Sequence, residues 1–489
     1  MKRAFLVLVI SCAPAPAAQR PAETTSAPAP QPSPPAAPAP VPAAPESRLD
    51  RYRETVDKIV AAARADRGAY QKLAFLTDRI GNRMSGSAAL DRAIEWATRT
   101  MKDDGHDVVR EPVMVPHWVR GAETAELTAP LSLPLHVLGL GGTVGTPKAG
   151  ITAPVIVIHD WAELDARRDA VKGAIVLYDV AMPAWTEDHA AAGYLEVVPY
   201  RLQGASRAAK YGAVAVLMRS VTSHSLSTPH TGAVLYEPGV AKIPALAITV
   251  EDSLRIARLA GVGPVAVHLR ADDQLRPEVA SANVIGELRG SERPDEIVVI
   301  GGHLDSWDVG QGAHDDGAGA VATMQALTTL RRLGIAPRRT IRAVLFTAEE
   351  FGIYGGRAYA ATHAAELPRT VFALELDLGG YAPRGFTFET RPGAQDRVKA
   401  RLTDMASLLR SIGELHVVEG QHDPDVSPMR AAGVPALGID TEDHAYFDVY
   451  HSEADTLDKV DPAALADDVA VIAAMAYVAA EMPDRIDAP

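Results

Sequence analysis

Residues 297–319 read IVVIGGHLDSWDVGQGAHDDGAG, and the fold class follows from them. Ile297–Ile300 is a β-branched run that predicts a buried strand. Gly301 and Gly302 follow it, then His303 and Asp305 in a polar exit. Asp315 and Asp316 open a helix predicted over Gly317–Leu333 and stopped by Gly334. The same pattern recurs downstream. Strand Ile341–Thr347 precedes helix Tyr354–His363, and strand Val371–Leu376 precedes helix Asp396–Leu409. Strand Ala436–Ile439 precedes the closing helix Pro462–Met482. Such alternation predicts an α/β protein, a central sheet with helices on both faces.

Upstream, Leu49–Arg67 reads as a helix with Tyr52, Val56, Ile59 and Val60 on one face, and Leu73–Ile80 continues it. Gly81–Ser87 is a polar loop and Ala88–Lys102 a second amphipathic helix. From about Trp118 the texture changes. Val155–Ile158, Ala174–Tyr178, Val214–Met218, Ala245–Val250 and Val265–Leu269 are short runs separated by Pro and Gly. They predict a β-rich region over 122–280 that interrupts a main domain of 47–121 and 281–489.

The N-terminus has another character. Met1-Lys2-Arg3 and the apolar run Ala4–Ser11 form an export signal, too short for a bilayer-spanning helix. Cys12 ends it, and it is the one cysteine in the chain. Its position resembles a lipoprotein cleavage site, giving a signal over 1–12; an ordinary secretory signal is the alternative. Residues 13–46 are dominated by Pro and Ala and read as a semi-extended tether. The expected location is the periplasm or cell envelope of a bacterium, with a membrane partner through the lipid. A single cysteine excludes an internal disulfide and a multi-thiolate metal site. The net charge of −14 comes without a basic footprint, so no nucleic-acid partner is expected.

Acids and histidines recur just past the predicted strands: His303 and Asp305, Asp315 and Asp316, Glu349 and Glu350, Asp377, and His451. Each alone is ordinary, since an Asp pair before a helix usually caps it. Together they stand at successive strand ends of one sheet, where they can converge. A two-metal site needs a bridging carboxylate, terminal ligands and one unbound carboxylate as base. Adjacent Glu349 and Glu350 point apart, so one can ligate while the other faces water. Asp305, two residues from His303, suits a carboxylate that acts on a ligating imidazole. Tyr446 and Tyr450 either line a pocket or pack as core, and Asp425 either positions substrate or a loop. No His-Glu-x-x-His and no Gly-x-Ser-x-Gly occurs, which counts against helix-borne zinc peptidases and serine hydrolases.

The set His303-Leu304-Asp305, Asp315-Asp316-Gly317, Glu349-Glu350, Asp377 and His451 resembles the zinc-dependent M28 peptidase family, over about Ser47–Met482. The resemblance implies a mixed central sheet with an inserted protease-associated domain, and a cis Asp315–Asp316 peptide. It implies two Zn²⁺ per chain, Asp315 bridging, Glu350 and His451 on one metal, His303 and Asp377 on the other. Glu349 is then the general base, and Asp305 orients His303. Mn²⁺ or Co²⁺ would also suit such ligands. The implied activity is a dizinc exopeptidase for dipeptides or short peptides with free termini, and a homodimer is implied by the resemblance alone. His314 and Tyr450 depart from relatives and leave substrate preference open. Two rival readings share the scaffold: a mono-zinc glutaminyl cyclase-like enzyme, and a non-catalytic binding protein.

Overall fold

The computed structural model describes residues 49–184, 186, 192–224 and 226–488; the signal and the tether lie outside them. Two eight-stranded sheets organise the chain. The first runs from edge to edge through Asp107–Val119, Gln274–Leu288, Arg339–Phe346, Arg293–His303, Thr370–Glu375, Ala436–Thr441, Pro383–Glu389 and His416–Glu419. Its strands Arg339–Phe346, Arg293–His303, Thr370–Glu375 and Ala436–Thr441 are parallel, so their carboxyl ends share one edge. The pairs on either side of these are antiparallel and the last pair, Pro383–Glu389 with His416–Glu419, is parallel, which makes it a mixed α/β sheet.

Alternation along the strands gives the sheet two apolar faces. Val298 and Ile300 pack with Ile59, Val321 and Ile472, from helices Arg53–Ala65, Gly319–Arg332 and Pro462–Glu481. Ile297 and Val299 face the other way, against Tyr359 and Met429. Pro462–Glu481 is long and apolar enough to span a bilayer, but 83% of its apolar window is buried inside the protein, as in a core helix.

The second sheet runs through Leu133–Leu135, Glu123–Ala129, Ala266–Ala271, Ile151–Ile158, Ile175–Tyr178, Ala215–Arg219, Ala245–Ile248 and Val137–Gly139. One face buries Val155, Leu177 and Leu217 with Ile256. The other buries Tyr178, Val216 and Met218 in a cluster that includes Tyr446, Phe447 and Tyr450. Both sheets belong to the unit Ser47–Pro489.

Two large elements were not anticipated from the sequence. One is the antiparallel ribbon of Asp107–Val119 with Gln274–Leu288. Its Pro112, Pro116 and Pro277 and its exposed charges hide a strand pattern, because it is an edge ribbon with little to bury. The other is the helix Ala192–Lys210, which carries Gly193, Pro199 and Gly204. Its propensity is poor, and packing decides it.

A buried polar cluster joins the two sheets. Arg120 donates twice to Asp308, at 2.8 Å each, and to Glu123 at 3.0 Å. Asp273 accepts the Gly121 N–H, and Glu123 accepts that of Gly139. Burial pushes the Glu123 carboxyl up to about 7; Arg120 opposes this and Asp273 adds to it. An acid whose folded pKa exceeds its unfolded value holds more protons when folded. Its contribution to stability is therefore present at low pH and lost as pH rises toward and through about 7. Melting temperatures of wild type and Glu123→Gln should converge at low pH and diverge above neutrality, with the wild type falling more steeply.

Candidate metal centre

His303 ends its strand at the carboxyl edge, and Glu349, Glu350 and Asp377 follow the two strands beside it. Asp315 precedes helix Gly319–Arg332, and His451 follows Ala436–Thr441 and a short helix. The parallel strands thus deliver all six groups to one place. His303 Nε2 lies 3.2 Å from Asp315 Oδ1 and 3.1 Å from Asp377 Oδ1. His451 Nε2 lies 3.1 Å from Asp315 Oδ2 and 3.2 Å from Glu350 Oε2. Asp315 therefore offers one oxygen to each of two imidazole–carboxylate pairs.

The other ring nitrogens are held by backbone. His303 Nδ1 is 3.1 Å from the Asp305 carbonyl, and His451 Nδ1 is 3.3 Å from the Thr231 carbonyl. A carbonyl only accepts, so each Nδ1 carries a proton. Burial lowers the His451 pKa, so its Nε2 presents a lone pair to two carboxylates. Asp315 Oδ2 and Glu350 Oε1 are buried without a hydrogen-bond partner among the described residues. Lone pairs and buried oxygens that converge in this way repel unless a cation lies among them. At His303 burial works against the proton, but Asp377, Asp305 and Asp315 outweigh it and raise the pKa well above the ordinary value. A metal would displace that proton. Hard carboxylates with two imidazoles form a donor set that fits divalent ions.

Asp316 also lies within reach of His303 and Asp377. Its oxygens are already committed, Oδ2 to the His303 N–H and Oδ1 to the Gly319 N–H, both at 2.9 Å. It ties the helix to the strand. A Cβ at Gly319 would stand 1.9 Å from the Leu376 carbonyl, so only glycine permits this approach. The Asp315–Asp316 peptide is cis.

Other buried groups hold the ligand loops. Asp305 takes the N–H groups of Glu349 and Glu350, at 3.1 and 3.4 Å. Its carboxylate is 3.6 Å from His303 Nδ1, farther than its own carbonyl, so it steers His303 mainly through backbone. Asp455 takes the N–H groups of His314 and Asp315. Arg83 is wholly buried and donates to the carbonyls of Gly81, Leu304, Gln311 and Gly312. Neither Arg83 nor Asp455 was picked out from the sequence. Arg83 lies in the polar loop 81–87, where nothing separates it from a solvated arginine.

The centre opens into a cavity of about 460 Å³ lined by Asp315, Glu349, Glu350, Asp377 and His451. Burial raises the Glu349 carboxyl well above its ordinary range; His303 opposes this and Asp377 and Glu350 add to it. Tyr446 and Tyr450 line the cavity. Asp425 does not, which corrects its reading as a substrate contact. It is fully buried and accepts the Gly356 N–H at 3.0 Å; the acid this turn turns toward the cavity is Asp423.

Fold and site together define a metallopeptidase. Residues 283–476 match the model of peptidase family M28, and the chain belongs to that family. It is 38% identical to carboxypeptidase Q of Xenopus laevis, over 90% of this chain and 92% of the relative. A peptidase M28 precursor from Shewanella amazonensis has the same fold with a TM-score of 0.84 at 35% identity, over 89% of this chain and 98% of that one. A zinc aminopeptidase from Bacillus subtilis shares the fold at a TM-score of 0.64 and 22% identity, over 86% of this chain and 96% of that one.

Chelation of the purified protein should lower its melting temperature, and added divalent metal should restore it. Asp315→Ala should retain at most one equivalent of metal by elemental analysis; two retained equivalents would remove it as the shared ligand.

Proposed function

We propose that this metallopeptidase is a dizinc exopeptidase that hydrolyses dipeptides or short peptides with free termini. The observation that carries the reading is the placement of the two Asp315 oxygens, one toward each imidazole–carboxylate pair. His303, Asp377 and Asp315 would hold one zinc, and Glu350, His451 and the other Asp315 oxygen the second. Mn²⁺ or Co²⁺ would serve as substitutes. When bound, the ions supply Lewis acidity toward the scissile carbonyl and acidify the attacking water.

The chain's own groups do the rest. Glu349 stands beside the ligands in the cavity wall and, as general base, takes the proton of the attacking water. It then delivers that proton to the leaving amine. Asp305 fixes the backbone of Glu349 and Glu350, so the base and its ligating neighbour keep their relative aim. A cavity of about 460 Å³ suits a ligand of a few residues rather than a folded protein. A mono-zinc site would leave the Glu350–His451 pair without a task.

The region 122–280 we read as a protease-associated insert. Export, a lipid anchor at Cys12 and a homodimer complete the proposal. Glu349→Gln should keep both metals and lower kcat on a dipeptide by about 10³-fold, within the range for a lost general base. Hydrolysis at the wild-type rate would overturn the mechanism.

A further inference from the structure

The chain crosses between the two sheets twice, at residues 120–122 and 272–273. The crossings lie side by side. The Gly121 N–H donates to Asp273 Oδ1 at 2.8 Å, and the Asp272 N–H to the Ala122 carbonyl at 3.0 Å. Two short adjacent crossings have the form of a hinge, in which a few residues at element ends absorb a rotation. Arg120 stands on the first crossing and Asp273 on the second, with Glu123 just beyond. Asp308, which Arg120 grips through Nε and Nη2, comes from the loop between His303 and Asp315. The polar cluster at the seam therefore sits on the hinge itself.

Its charges do not balance. Three carboxylates face one guanidinium, although Asp273 is 5% exposed and the Glu123 side chain 6%. Arg120 commits Nε and Nη2 to Asp308, and Nη1 to Glu123 and the Gly139 carbonyl. Asp273 Oδ2 is buried without a partner among the described residues. It and Glu123 Oε1 converge on the point that a Gly139 Cβ would fill, 3.0 and 2.2 Å from it. A proton held between the two carboxyls supplies the missing donor and removes one charge. The other polar neighbours do not supply it. Tyr236, on the Asp273 side, donates its hydroxyl to the Ile243 carbonyl, and Asp272 pairs with Arg270.

The hinge carries one wall of the cavity. Beyond it, helix Ala192–Lys210 and the segment 233–235 supply Tyr194, Leu195, Arg201 and Leu235, while Asp315 and Glu350 stay with the first sheet. A rotation at the hinge therefore widens or narrows the cavity. We propose that Arg120, Glu123, Asp273 and Asp308 form a proton-operated lock on this hinge: with a proton shared by Glu123 and Asp273 the wall is held over the metal centre, and loss of that proton lets it swing away. Burial raises both carboxyls, Glu123 to about 7. In water a glutamate returns toward about 4.3. The locked form thus binds more protons than the open one. Its advantage is full in acid and is lost as pH rises from that lower value through about 7. The effect on turnover rests on the exopeptidase reading above; the lock does not.

The test takes two readings on metal-replete protein at pH 6 and pH 8. The first is hydrogen exchange at the Gly121 and Gly139 N–H groups, which donate to Asp273 and Glu123, corrected for the intrinsic rate. Their protection in wild type should fall about tenfold from pH 6 to pH 8. It should stay well below that of the core amide of Val299, the mark of a hinge that opens without unfolding. Glu123→Gln, neutral at both pH values, should abolish the fall. The second reading is KM for the dipeptide Ala-Leu. Relative to Glu123→Gln, the wild-type KM should rise about tenfold over the same interval, with the ratio of kcat values unchanged. Asp273→Asn should behave as Glu123→Gln does, and it covers the case in which the latter does not fold. Protection in wild type that ignores pH, a fall that persists in Glu123→Gln, or protection equal to that of Val299 would each overturn the lock. So would KM profiles that run parallel in the two proteins. If no peptide is cleaved, the exopeptidase reading fails and the exchange data still decide the lock.

Discussion

The governing constraint is the cost of gathering buried carboxylates at one sheet edge. Asp305, Asp315, Asp316, Glu350, Asp425 and Asp455 are all under a tenth exposed. An isolated carboxylate moved out of water costs several kcal/mol even after relaxation, and like charges side by side add to that. The chain meets the cost in two ways. Asp305, Asp316, Asp425 and Asp455 each take backbone N–H groups of the loops that present the ligands. Asp315 Oδ2 and Glu350 Oε1 take no such bonds, and both carboxylates face the His451 imidazole, Asp315 through Oδ2 and Glu350 through Oε2. Charge that is satisfied locally builds the scaffold, and charge left unsatisfied defines the metal centre.

Arg83 does the reverse service for the loop between His303 and Asp315. That loop turns several carbonyls inward, and the guanidinium collects three of them, Leu304, Gln311 and Gly312, along with that of Gly81. Burial brings its pKa down to about 10, so it remains charged at neutral pH. Ala348 and His451 both adopt left-handed backbone, with φ of 55° and 54°. Non-glycine residues do so at some cost, and both stand where the local hydrogen bonding fixes the chain.

The parallel core was legible because its residues obey one rule at a time. Ile297–Ile300 and Val371–Leu376 are buried on both faces, and the observed strands Arg293–His303 and Thr370–Glu375 enclose or nearly enclose them. The convergence of His303, Asp315, Glu349, Glu350, Asp377 and His451 was legible because parallel strands bring their ends together. Asp425 stayed open between a loop and a substrate role because Asp423 shares its turn, and sequence does not say which acid faces the cavity. Arg201 and Tyr194 could not be seen at all. They sit on a helix whose Gly and Pro content argues against it, and their partners Tyr450 and His451 are some 250 residues away.

The ribbon of Asp107–Val119 with Gln274–Leu288 has an evolutionary consequence. Val119 pairs with Gln274, so the chain leaves the first sheet and returns to it at neighbouring positions. The intervening stretch holds Tyr194 and Arg201, while His303, Asp315, Glu350, Asp377 and His451 all lie beyond it. Among its described residues, two groups meet a ligating imidazole, both at His451 Nδ1: the Thr231 carbonyl, which any residue type can supply, and the Arg201 guanidinium. Recombination within that stretch can therefore change the wall of the cavity while the reactive groups are inherited intact. A lineage built this way can alter what it digests without rebuilding how it digests.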